Sequence, residues 1–269
     1  MKIHAICLVK NDVDIVAHCL QTALQWADCV YVFDNGSTDG TWEAVKSIES
    51  ERVIPWKSEA KRFREGLRSE VFNEFRNRSA KGDWWCRLDA DEFYTIQDPR
   101  SFLAAVPPSC HVVWGIMVEY YLTHEDVESI DFQTAVEALL PKLKYYKAAF
   151  SEPRFFRYRD RLEWIPDWSW PKHVGVVFRD RILYRHYKYR SPDQIRTRLA
   201  TRQAAIEEGF EGWGSVKVDS WEEKVCDRAH LSVDDGTEFH VDESILPQHM
   251  PPSFRYFLQR VMHSTGIWA

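Results

Sequence analysis

The sequence predicts an α/β fold with a Rossmann-like, mostly parallel sheet flanked by helices, on three observations. Short, nearly continuous apolar runs at residues 3–9, 29–33 and 84–88 have the pattern of strands buried on both faces. An amphipathic helical stretch separates the first two, so strand, helix and strand follow one another as in a βαβ unit. Acidic residues come directly after two of the runs, at Asp34 and Asp89, and the carboxyl ends of parallel strands are where ligands bind in such sheets.

The elements follow in order. Ile3 to Val9 forms the first strand, and Lys10-Asn11-Asp12 ends it. From Asp14 to Trp26, apolar Ile15, Val16, Cys19, Leu20, Ala23 and Leu24 recur at helical spacing. Cys29 to Phe33 is the second strand, and Asp34-Asn35-Gly36-Ser37-Thr38-Asp39-Gly40-Thr41 leads into a helix from Trp42 to Ile48. There Gly36 and Gly40 permit close backbone approach, while Thr38 or Asp39 can cap the helix. Val53-Ile54 is a short third strand. A helix spans Glu65 to Ala80, with Leu67, Val71, Phe72 and Phe75 on one stripe, closed by Lys81-Gly82. Trp84 to Leu88 is the fourth strand, delivering Asp89, Asp91 and Glu92 to the same sheet edge as Asp34.

Beyond a helix at Pro99 to Val106 and a strand at His111 to Val118 the alternation stops. Residues 124–149 read as an insertion with a short helix around Ala135 to Leu140. Arg154 to Tyr158, Val174 to Phe178 and Ile182 to Tyr187 read as antiparallel strands, with a tryptophan-rich loop, Trp164 to Trp170, between. Ser191-Pro192 starts an arginine-rich helix that ends near Glu208. Ser253 to His263 forms an amphipathic helix with Phe254, Phe257, Leu258, Val261 and Met262 on one side. Such a basic, aromatic helix either packs on the body or makes peripheral contact with a membrane surface. These elements divide the chain into a first half to residue 120, a second half at 121–210 within the same domain, and an extension at 211–269.

A net charge of −6 and a pI near 5.9 leave no basic footprint for nucleic acid. The six cysteines have no C-x-x-C spacing and read as reduced core residues of a cytoplasmic protein. The apolar start is too short for a secretory signal, and no stretch approaches the about 20 apolar residues of a membrane span.

Asp89 and Asp91 alternate with Ala90 where a strand gives way to loop, so both carboxylates can face one way. Their repulsion raises a pKa unless a hard cation neutralises the pair, and Mg²⁺ or Mn²⁺ takes one or two carboxylates completed by phosphate oxygens and water. The plainer alternative is an acidic loop at a strand end.

Three segments together resemble the nucleotide-sugar glycosyltransferases of the GT-A fold, in their family-2-like branch: the first strand followed by Lys10-Asn11-Asp12, the Asp34 to Thr41 segment, and Asp89-Ala90-Asp91-Glu92-Phe93. The resemblance covers residues 1 to about 120, extends to about 210 and is absent from the tail. It implies a nucleotide-diphosphate sugar in the first half, with base and ribose near Leu8, Lys10, Asn11, Asp34 and Arg68. Asn35 stands where the family carries a second Asp. A smaller antiparallel acceptor side and C-terminal helices complete the expected fold. The resemblance further implies Mn²⁺ or Mg²⁺ held by Asp91, with Asp89 joining directly or through water and His186 as the late histidine, His173 being second choice. It implies inverting transfer to a hydroxyl of a glycan or lipid-linked acceptor, with a carboxylate base from the second half. Asp167 is preferred because burial in its aromatic loop would raise its pKa; Glu119, Glu152 and Glu163 are the other candidates. Trp164, Trp168 and Trp170 suggest a sugar platform. A sugar-phosphate nucleotidylyltransferase is disfavoured because no glycine precedes Gly36, and a haloacid dehalogenase-type phosphatase because Gly36 stands two residues after Asp34. A non-catalytic glycan-binding scaffold remains a further alternative.

Overall fold

The computed structural model describes residues 1–212 and 220–268. Four parallel strands form its first part in the order β3 (Val53–Ser58), β2 (Cys29–Asp34), β1 (Ile3–Val9) and β4 (Trp84–Leu88). The first, second and fourth apolar runs are thus the central strands, and all seven residues of β1 are buried. α1 (Val16–Ala23) buries Val16, Cys19, Leu20 and Ala23 on one side of this sheet. α2 (Thr41–Ser47) follows β2 after Gly40, whose positive φ of 98° suits glycine. α3 (Arg68–Phe75) packs Val71, Phe72 and Phe75 against the opposite side with Tyr31, Phe33 and Trp85. It is shorter than the predicted 65–80, because single 3₁₀ turns at Glu65–Leu67 and Arg76–Arg78 occupy its ends.

The sheet continues without a break into the second part of the chain. β5 (Glu92–Phe93) and α4 (Pro99–Ala104) precede β6 (Val112–Tyr120). The insertion contains α5 (His124–Ser129), closed by a Thr123–Asp126 capping box, and α6 (Val136–Leu139). β7 (Tyr145–Arg157) then pairs antiparallel with both β4 and β6. The expected strands at 174–178 and 182–187 prove to be largely one, β8 (Val177–His186), which runs parallel to β6 and antiparallel to β5. In this register His186 sits beside Glu119 on one neighbour and beside Glu92 on the other.

α7 (Pro192–Glu207), with Ser191 accepting from Gln194 N as its cap, is the arginine-rich helix. β9 (Ser232–Val233) adds to β7 at its Tyr145 end, and α8 (Ser253–Ser264) is the last helix. Among the described residues no helix is long and apolar enough to cross a membrane. All six cysteines are free, four of them buried.

Candidate functional site

An open cleft lies at the carboxyl edge of β1, β2 and β4. Leu8 to Asp12, Asn35, Arg68, Asp89 and Asp91 line it, and α7 closes its other wall with Arg198, Thr201, Arg202 and Ala205. Asn11, in the left-handed region at φ 57°, ties the walls together. Its amide donates to Thr201 Oγ1 at 3.0 Å, its carboxamide oxygen accepts from Thr38 N at 2.9 Å, and its backbone N–H donates to Ser37 Oγ at 2.9 Å.

Asp34 and Asn35 divide the work at the end of β2. Asp34 is fully buried and accepts from Ser37 and from Ser58 Oγ at 2.6 Å, so it fixes the turn and is not among the residues lining the cleft. The backbone N–H of Lys61 donates to Asn35 Oδ1 at 2.8 Å. That bond fixes which end of the carboxamide is oxygen, and it leaves Nδ2 buried in the cleft wall without a protein partner. A buried donor with no acceptor is costly, and a ligand carbonyl would satisfy it.

The three carboxylates after β4 go to different partners. Asp89 is held by Arg68, with Arg154 at 3.7 Å. Burial opposes its ionisation, but Arg68, Arg154 and Arg87 outweigh burial and hold its carboxyl well below the usual range. Asp91 faces the other way: Arg198 Nη1 donates to its Oδ2 at 2.8 Å, and His186 Nε2 lies 3.4 Å from the same oxygen. Against the cost of burial, Arg198 and His186 also keep Asp91 ionised. Glu92 turns back into the sheet, paired with fully buried Arg154 and accepting from Asp89 N at 3.1 Å.

The predicted metal set of Asp89, Asp91 and His186 therefore does not converge, because arginines draw Asp89 away. Among the described residues no group of three or more metal-ligating side chains gathers at one point. Asp91 and His186 do fit a smaller role. Their donor atoms are neighbours, and Glu119 lies 3.3 Å from the other ring nitrogen of His186. A carboxylate behind a histidine orients the ring for a cation, and Mg²⁺ commonly needs only one or two protein ligands beside phosphate.

The base candidates separate by environment. Asp167 is 74% exposed and pairs with Arg64 at 2.6 Å, so the burial expected for it is absent. Pro166 O packs so closely on Gly66 that a Cβ there would lie 2.1 Å from it. Glu119, between His186 and Lys188, is held down at about 2 although burial pulls the other way. Glu152, on β7, lies 3.2 Å from Arg154 and 3.9 Å from Arg87; burial outweighs the pull of Arg87 and raises its pKa. Glu163 is exposed, and His173 stacks on Trp268 instead of facing the cleft. Trp164 is buried against Phe72 and Phe156 and stacks on Trp170, so it belongs to the core and offers no sugar platform.

Sequence reasoning missed Arg198, Thr201 and Arg202. Their spacing of three and four residues, continued by Ala205, marks one helical face, but arginines usually mark a solvated face, so the spacing alone does not show that this one points inward.

A family model for glycosyl transferase family 2 matches residues 5–162. No curated protein matches the chain. Among solved structures, that of a mycobacterial protein is similar at 15% identity, with a TM-score of 0.36, over 58% of this chain. The match spans 53% of that protein's length, about half of it.

Proposed function

The chain belongs to glycosyl transferase family 2, and from that premise we propose that it moves a sugar from a nucleotide-diphosphate donor to a hydroxyl of a glycan or lipid-linked acceptor, inverting the anomeric carbon. The observation that carries this reading is one cleft lined by both the unpartnered amide of Asn35 and the Asp89–Asp91 pair. Asn35 Nδ2 donates to a carbonyl of the base. Leu8 packs beside it, and Lys10, Arg68 and Arg202 supply positive charge along the diphosphate. Asp91 and His186 would hold Mn²⁺ or Mg²⁺, which would supply Lewis-acid neutralisation of the nucleoside diphosphate.

The chain's own groups account for the rest. Glu119 holds His186 in orientation and, with its low pKa, makes a poor proton acceptor. Glu152 is the base in this reading. It borders Arg87, which lines the cleft, and its raised pKa suits taking the acceptor proton as the new bond to the anomeric carbon forms and the bond to phosphate breaks. Asp89 positions Arg68 and Arg154.

Calorimetry with nucleoside diphosphates and sugar nucleotides, with and without Mn²⁺, tests the reading. Binding that weakens by about ten-fold in Asn35→Ala, the cost of one good hydrogen bond to a buried donor, supports it. Failure of every nucleotide to bind refutes it.

A further inference from the structure

The last helix is mounted with its more apolar stripe outward. Tyr256, Gln259, Met262 and His263 are the partly buried side of α8, so Met262, expected on the apolar stripe, turns toward the body instead. The His263 ring lies 5.0 Å from His111, and beyond the helix Arg161 donates to Gly266 O while Trp268 stacks on His173 at 4.2 Å. Phe254, Phe257, Leu258 and Val261 have the i, i+3, i+4, i+7 spacing of a single stripe, and they are 79%, 64%, 43% and 37% exposed. Ile267, just past the helix, is exposed as well. An amphipathic helix that packs on its own domain ordinarily buries such a stripe.

The charges around the stripe identify its occupant. At about 100° per residue, Arg255 and Arg260 fall on opposite flanks of it, and both are exposed. The chain carries net charge −6, yet no Asp or Glu occurs from Ser244 to Ala269. We propose that this stripe docks the protein reversibly on an anionic lipid surface, with the phenylalanines, Leu258 and Val261 entering the acyl boundary and the two guanidiniums among the head groups. Interfacial helices combine an apolar stripe with flanking cations in this way. A second copy fits less well. It would set the arginines of one α8 against those of the other, and four side chains fall well short of the roughly 800 Å² per partner of a stable interface.

The proposal does not depend on the transfer reaction, so either can fail alone. The whole chain is sedimented with vesicles of phosphatidylcholine, pure or mixed with phosphatidylglycerol. Binding is expected to the mixed vesicles only and to weaken with added salt. Phe257→Glu is expected to lower partitioning about ten-fold or more, and Arg255→Glu with Arg260→Glu several-fold. Melting temperature and nucleotide binding should be unchanged in both variants, which separates lost docking from lost folding. The proposal is overturned if the wild-type chain ignores mixed vesicles, or if the variants bind as well as it does. A concentration-dependent dimer that Phe257→Glu dissociates, without vesicle binding, would assign the stripe to a second copy and overturn it equally.

Discussion

Glu92→Gln should destabilise the protein strongly although Glu92 contacts no proposed ligand. Its side chain and that of Arg154 are both fully buried and paired. The substitution keeps an oxygen for Asp89 N but removes the charge that compensates the guanidinium. Breaking a buried pair from one side costs about 3–5 kcal/mol. Glu152 at 3.2 Å and Asp89 at 3.7 Å from Arg154 compensate in part, which favours the lower end. With an unfolding entropy near 2.1 cal/mol/K per residue, 269 residues give about 0.56 kcal/mol per degree, so the melting temperature should fall by about 5–9 °C. Thermal unfolding followed by circular dichroism measures it. Adding Arg154→Met should recover most of the loss, because removing both charges leaves neither stranded. A single-variant shift below about 2 °C, or a double variant no better than the sum of the two singles, would refute the reasoning.

Three further outcomes are expected. Glu152→Gln should lower turnover by about 10²–10⁴-fold with donor affinity preserved. Since burial raises this pKa and the base acts deprotonated, the wild-type rate should climb with pH through an acidic limb that the variant lacks; unchanged turnover would remove Glu152 as base. Asp91→Asn should abolish Mn²⁺-dependent nucleotide binding in calorimetry while metal-free binding persists, and equal loss of both would place Asp91 outside the cation site. Burial, helped by Arg159 and His263, lowers His111 to about 3. The unfolded chain takes up a proton there near pH 6.5 and the folded one does not, so stability present above that pH is lost as pH falls toward 3, by at most about 4–5 kcal/mol. Chemical denaturation at several pH values should give a slope that His111→Gln flattens.

The legible parts of the sequence were those where one physical cause acts alone. β1, β2 and β4 are buried on both faces, so apolar runs marked them and, with them, the positions of Asn35, Asp89 and Asp91 at one edge. β8 was harder. Exposed Arg179 and Asp180 interrupt its apolar pattern, so one strand looked like two, and its parallel pairing with β6 depends on chain far away in sequence. Asp167 failed for a related reason: aromatic neighbours in sequence do not imply burial when Pro166 packs on Gly66 and the carboxylate reaches out to Arg64. α7 hid its inward face because Arg198 answers the buried charge of Asp91, and no local periodicity records a partner more than a hundred residues distant.

The pinning of β8 between β6 and β5 also sets what the chain can tolerate in descent or design. His186 meets Asp91 and Glu119 because backbone ladders on both sides fix its place. Side chains alternate along a strand, so a single residue inserted within β8 ahead of Tyr184 would bring Arg185 to the place of His186 and turn the imidazole to the opposite face. Insertions that spare β8 leave this alignment intact. Length variation among related chains is thus expected to avoid β8, and any grafted segment should join outside Val177–His186.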